Sequence, residues 1–312
     1  MNKKGASWAR GTAFVVALGG TASVYPAHAY VRTRASESAV LLAWRKPCIN
    51  LQFLLGSRPE GVSEELFRTA VGESAAQWSS SRLACTKMFL SVSASPSAKT
   101  FVDADRVNTV QFRSDFWGRN ASKPADVVPY PFNALAITSV FADRKTGAIV
   151  DTDVEINATG PMWGDVVANP ELRKSSNSHD LQNTLTHEFG HVIGLDHTCD
   201  GGGQSNLKDN AGRDVPRCPG NIDTQETTMA AIVTPGDTVR RTLAPDDQKG
   251  ICEIYPADGK LACSDGGGDG GGGCLMAKGS RSRNGFAMTA LSTLAAALLV
   301  WKRRRRGASE RS

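Results

Sequence analysis

From residue 49 to residue 158 apolar side chains recur in short alternating or β-branched runs, and on either side of residue 180 they recur every three or four positions. The first pattern is that of strands with one face buried, the second that of helices with an apolar stripe. "INLQFLLG" (49–56) predicts a first strand, and "MFLSVSA" and "VNTVQFR" are further strand candidates. "ALAITSVFA" (134–142), "DRKTG" and "AIVDTDVEINA" (148–158) predict a hairpin around a glycine-containing turn. "SEELFRTAVGESAAQWSS" (63–80) has helical spacing and opens on Ser63 with two acids in its first turn, as an N-cap and a helix dipole favour. "HDLQNTLTHEFGHVIG" (179–194) predicts a second helix, with Asp180 as its N-cap and Gly194 at its end. "APDDQKGICEIYP" (244–256) predicts a short last helix with Pro245 and two acids at its start. No internal repeat is visible. Strands first and the main helices later imply an α+β domain over residues 30–257.

Charge is unevenly placed along the 312 residues. Lys3, Lys4 and Arg10 give the first 29 residues +3, and residues 275–312 carry +8, so the total of +5 leaves −6 for the body between. A mildly acidic body gives no electrostatic footprint for nucleic acid. Both basic ends read as targeting segments. "MNKK", the apolar run "GTAFVVALGGTASVY" and the small residues Ala27 and Ala29 predict a signal peptide over 1–29, cleaved after Ala29. At the other end an apolar stretch of 16 residues (286–301) precedes five consecutive cations, Lys302 to Arg306. This predicts a membrane segment and basic tail over 284–312, with the cations as a cytoplasmic stop. Nine of the ten residues from Asp265 to Cys274 are Gly or Asp, which marks 258–283 as a linker unable to form a core. Gly-Cys, an apolar segment and an arginine run resemble the C-terminal sorting tail of many exported myxobacterial proteins. That resemblance implies that Cys274 is where the tail is processed and the protein attached to the surface.

Seven cysteines in an exported chain predict disulfides. With Cys274 set aside for sorting, six remain: Cys48, Cys85, Cys199, Cys218, Cys252 and Cys263. Fifteen pairings are open to them; pairing of neighbours, 48–85, 199–218 and 252–263, is the expectation.

The densest chemistry lies in "THEFGHVIGLDH" (186–197), which holds three of the five histidines. Positions i and i+4 share a helix face, so His187 and His191 point the same way. Gly194 can take the left-handed conformation that ends a helix and swings the chain back, bringing His197 to the same cation. Three neutral imidazoles with one open position describe a catalytic rather than a structural zinc site. Glu188, on the flank of that face, is placed to deprotonate a zinc-activated water.

HExxHxxGxxH is the signature of the metzincin zinc peptidases. The resemblance implies a metzincin-type catalytic domain: a twisted mixed sheet, an active-site helix, a methionine turn beneath the metal, for which "ETTMAAIV" offers Met229, and a C-terminal helix. Within the clan the chain looks most like the matrixins. Thr198 follows the third histidine, Ala231 stands two residues after Met229, and Asp246 and Asp247 occupy the paired-acid positions of the last helix. Three departures stand out. A propeptide cysteine switch is missing. Thirty-one residues separate His197 from Met229. The histidines of a second, structural zinc are absent, since the mature chain has only His179 besides the motif. Cys48 could cap the zinc, although a disulfide is favoured. Calcium is a further candidate ion, through Asp143, Asp151, Asp153 or Glu155.

These readings converge on an exported endopeptidase at the cell surface or outside the cell, hydrolysing proteins or peptides. Its membrane contact would run through the C-terminal tail, handled by sorting machinery. The edge strand near 134–142 would pair with an extended substrate. The competing reading is a surface adhesion module that holds zinc but no longer cleaves; Glu188, which zinc binding alone does not require, argues against it.

Overall fold

The hydrophobic runs of the first half assemble into one twisted sheet. A computed structural model describes residues 30–259 apart from 36–38, 99–100, 121–126, 203–206 and 219–226. Its principal strands are β1 (Cys48–Leu54), β2 (Phe89–Ser95), β3 (Thr109–Arg113), β4 (Ala136–Ala142) and β5 (Ala148–Asn157), in the spatial order β4-β5-β3-β1-β2. Neighbours run parallel except β4, which is antiparallel to β5, and Ala43–Trp44 adds two parallel residues at the start of β5. The sheet is mixed, as the hairpin implied, but parallel-dominated, giving a mixed α/β fold. Parallel neighbours need a crossover, and helix α1 (Glu64–Gln77) supplies it between β1 and β2.

Local signals explain where α1 lies. The Ser63 hydroxyl accepts from the Leu66 amide at 3.0 Å, with Glu64 and Glu65 in the first turn. Phe67, Ala70, Val71, Ser74 and Ala75 are its buried face, a helical period that leaves the acids outside. Helix α2 (Leu181–Val192) packs beside α1, fastened by the Trp78 indole donating to the Thr186 carbonyl at 2.8 Å. Between helices and sheet lies the core, through which Phe53, Phe67, Phe112 and Trp163 run as a chain of rings with centroids 5.4, 5.0 and 6.4 Å apart.

Helix α3 (Pro245–Ile254) begins on Pro245 and ends against the C-terminus of α2. Tyr255, fully buried, donates its hydroxyl to the Ile193 carbonyl at 2.8 Å, and the Trp44 indole donates to Val192 at 2.7 Å. Carbonyls that a helix end leaves without partners are thus satisfied from two distant segments. Described residues on either side of 121–126 are tied to the sheet: Arg113 pairs with buried Glu155, Glu155 accepts from the Tyr130 hydroxyl, and Trp117 packs on Tyr130 at 5.0 Å.

Disulfide pairing departs from the neighbour rule. Cys199–Cys218 forms as expected, stapling the insertion after the third histidine. Cys85, however, pairs with Cys252 across 167 residues, not with Cys48, and so Cys252 is not free for Cys263. The cause is tertiary: the Ala257 amide donates to the Cys85 carbonyl and the Lys87 amide to the Tyr255 carbonyl, so the loop after α1 lies against α3. Cys48 is itself disulfide-bonded, which removes it as a cap for zinc. The predicted signal peptide, Cys263, Cys274, nearly all of the linker and the whole 284–312 tail lie outside the described residues. Among the described residues no helix is long and apolar enough to cross a membrane.

Candidate metal centre

Asp180, the predicted N-cap, opens α2: its side chain accepts from the Asn183 amide at 2.9 Å. The same residue closes a short parallel pairing of Ser178–Asp180 with Met162–Gly164. Arg241 reaches Asp180 and Asp165, so the start of α2 is braced from three segments. The helix then carries His187 and His191 on one face, one turn apart. Gly194 follows with φ +93°, and a Cβ there would stand 2.9 Å from the Leu42 carbonyl. Only glycine fits that turn without strain. Beyond it Leu195–Asp196 pairs with Val31–Arg32, which directs His197 back towards α2.

The structure brings the three imidazoles together. Their Nε2 atoms form a triangle with every edge 3.2 Å. A tetrahedral zinc with Zn–N bonds of about 2.0–2.1 Å separates its ligand nitrogens by about 3.3 Å, so the triangle fits that ion. Two Nδ1 atoms face carbonyl oxygens, His187 against Thr228 at 2.7 Å and His191 against Leu195 at 2.9 Å. A carbonyl can only accept, so Nδ1 carries the proton and the Nε2 lone pair faces inward. Burial drives the His187 pKa well below its ordinary value, with help from the neighbouring imidazoles. It drives that of His197 to about 3, with His191 and the Arg240 guanidinium adding to it. Three ring nitrogens converging on one point are what a cation needs. Among the described residues this is the one group of three or more His, Cys, Asp or Glu side chains whose ligand atoms gather within 4.8 Å.

Glu188 is 5% exposed, and burial raises its pKa while His191 and a hydrogen bond from Thr138 oppose the rise. Met229 is fully buried under α2. A Cβ on Gly190 would lie 2.2 Å from the Met229 sulfur, so the glycine between Glu188 and His191 makes room for the methionine. The turn holding Met229 is bound from both sides: the Thr198 amide donates to Met229 at 2.9 Å, and the Thr228 amide donates to buried Asp247 at 2.7 Å. Its pair-mate Asp246 accepts from the amide of Tyr30, a buried residue, at 2.9 Å. Asp247, Thr228 and His187 therefore form one relay from α3 to the ligand. Asp247→Ala is expected to weaken metal affinity about 10–100-fold, as loss of an outer-shell partner does, measured by competition with a chromophoric chelator. Unchanged affinity would show that the relay does not orient His187.

An open cleft of about 840 Å³ runs over the triad, bounded by β4 on one side and residues Ala230 to Val233 on the other, with Phe132 92% exposed at its mouth. Motif spacing alone did not reveal Thr138, Thr228, Gly190 or Arg240. Gly190 had a readable sign, since a glycine inside a helix costs about 1 kcal/mol against alanine and asks for a packing reason. Of the four acids considered for calcium, Asp143 accepts from its own turn amides, Lys145 and Thr146. Asp151 accepts from the Arg106 and Thr152 amides, Asp153 from Thr109, and Glu155 is paired with Arg113 and Tyr130. Among the described residues these acids do not gather into a group of three carboxylates whose oxygens lie within 4.8 Å of one another.

The family model described as pregnancy-associated plasma protein-A, of the M43 peptidases, matches residues 163–239. The matched stretch holds α2, the triad and Met229. It supports a metzincin-type metallopeptidase, a class whose metal is usually zinc and whose substrates are proteins or peptides. M43 is a different family from the matrixins, so the narrower matrixin resemblance is not supported. No curated protein matches the chain.

Proposed function

We propose that this chain is an exported zinc endopeptidase in which His187, His191 and His197 hold the metal and Glu188 is the general base. The observation that carries this reading is the 3.2 Å triangle of Nε2 atoms with a buried carboxylate beside it, at the floor of an open cleft. When bound, zinc supplies a Lewis acid that polarises the scissile carbonyl and acidifies a water. Glu188 takes the water's proton on its carboxylate and returns it to the leaving amine, a role served by a pKa raised through burial. The outer edge of β4 pairs with an extended substrate and presents the peptide bond to the cleft. Met229 packs under the ligand helix as the methionine of the metzincin turn. Export through the 1–29 signal and surface attachment through Cys274 and the 284–312 tail complete the proposal. The Cys85–Cys252 and Cys199–Cys218 disulfides suit an oxidising compartment.

The test is casein cleavage by the purified protein, with and without a zinc chelator. Cleavage is expected to stop with the chelator and to return on adding stoichiometric zinc. Cleavage that persists after the metal is stripped would overturn the metal role. Tight zinc binding with no cleavage of any protein or peptide would favour the adhesion module.

A further inference from the structure

The Thr138 hydroxyl donates to Oε2 of Glu188 at 2.6 Å, from a strand 50 residues away in sequence. Alternation along β4 explains the direction. Ser139 faces Arg119, from which its hydroxyl accepts at 3.1 Å. Thr138, one residue earlier, must point to the opposite face of the sheet, where α2 lies. The bond divides the carboxylate: one oxygen is held by the strand, and the other is left to the cleft that Glu188 lines. A threonine side chain suits this task, because branching at Cβ restricts χ1 and aims the hydroxyl before any substrate arrives. A glutamate has three side-chain torsions and by itself would sample several orientations at a site where reaction needs one. Thr138 also lies on the strand whose outer edge is open to an extended peptide. The residue that fixes the base is thus part of the element that sets the substrate's register.

We infer that Thr138 is a positioning residue for the general base, holding Glu188 Oε2 so that Oε1 meets the water and coupling the base to the substrate-pairing strand. This rests on the reading of Glu188 as the base given above. Its role is in orientation, not in metal binding, so its effect falls on turnover and leaves zinc in place.

Thr138→Val keeps the shape and removes the hydroxyl; Thr138→Ser keeps the hydroxyl and removes the methyl. With the full chain, zinc-loaded, and a fluorogenic peptide that the unaltered protein cleaves, Thr138→Val is expected to lower kcat about tenfold or more. KM and zinc content should change by less than about twofold, and Thr138→Ser should recover most of the lost turnover. A Thr138→Val kcat within about twofold of the unaltered protein overturns the inference, as does a Thr138→Ser variant impaired to the same degree as Thr138→Val. Crystal structures of the two variants without substrate provide a reading independent of activity. In Thr138→Val the Glu188 carboxylate should leave its position or split into alternate conformers, and an unchanged single conformer there also overturns the inference. Glu188→Gln separates the two levels. If it retains activity, the base assignment fails; if it is inactive while Thr138→Val is not, only the role of Thr138 fails.

Discussion

Glu188→Ala is expected to yield a folded protein that still binds one zinc per chain and has lost about 10²–10⁴-fold in turnover, the range that a positioned general acid–base contributes. The ligands explain the first half of that outcome. His187 and His191 are oriented by the Thr228 and Leu195 carbonyls, not by Glu188, so the Nε2 triangle survives the substitution. Folding survives because removing Glu188 relieves a cost. Burial opposes its charged form, as the raised pKa shows, and the hydroxyl of Thr138 has a second acceptor in the Glu188 backbone carbonyl at 3.3 Å. The loss in turnover follows from proton transfer, since among the described residues lining the cleft the other carboxylate, Asp196, is engaged by the His197 amide at 2.8 Å. Glu188→Gln sharpens the result: the amide keeps a carbonyl oxygen for Thr138 but cannot take a proton. Zinc by atomic absorption and kcat on one peptide decide the matter. A loss below about tenfold with zinc unchanged removes Glu188 from the chemistry.

Much of the scaffold was legible because its signals are local. Ser63 and Asp180 cap their helices through the amides of Leu66 and Asn183, both within three residues, and Pro245 starts α3 at the place its missing amide allows. The β4–β5 hairpin was readable from two β-branched runs around Gly147, whose φ is +70°. What the chain does not write locally is which strand neighbours which. Alternation in β1 says that one face is buried and nothing about β2 and β3 flanking it. The two-residue pairing of Val31–Arg32 with Leu195–Asp196 is too short for any periodicity, yet it steers His197. The Cys85–Cys252 bond likewise depends on α3 returning to the loop after α1.

The site divides in the same way. The three imidazoles that converge and Glu188, proposed as ligands and base, fall within eleven consecutive residues, so helical geometry and one glycine place them. Thr138 and Asp247 act on Glu188 and His187 from 50 and 60 residues away in sequence, through contacts only the folded sheet creates. The paired acids Asp246 and Asp247, read as a matrixin feature, lie outside the matched residues 163–239, so the M43 match does not bear on them.

His197→Ala carries the second large effect: loss of stoichiometric zinc at low metal concentration, and of all cleavage with it. Two imidazoles one helical turn apart can chelate a cation but leave half of a tetrahedral shell to water, whereas catalytic zinc sites keep three protein ligands. The affinity loss should therefore exceed the about 10–100-fold attached to an outer-shell partner, and so exceed that of Asp247→Ala measured in the same assay. The fold should tolerate the change. Burial pushes the His197 pKa down to about 3, so in the metal-free protein this ring resists protonation as pH falls below its ordinary value of 6.5, while in the unfolded chain it does not. The sign follows: with the folded pKa depressed, the unfolded state binds more protons between pH 6.5 and about 3, and His197 costs stability progressively as pH falls through that window. Alanine removes that cost. Metal-free His197→Ala should consequently lose less stability than the metal-free parent on acidification from pH 7 to pH 4, and gain less from added zinc at pH 7. Thermal unfolding at the two pH values, with and without one equivalent of zinc, gives both comparisons. A variant that keeps zinc through dialysis at the parent's stoichiometry would show that the third ligand is another residue, and the triangle of imidazoles would then not be the metal site.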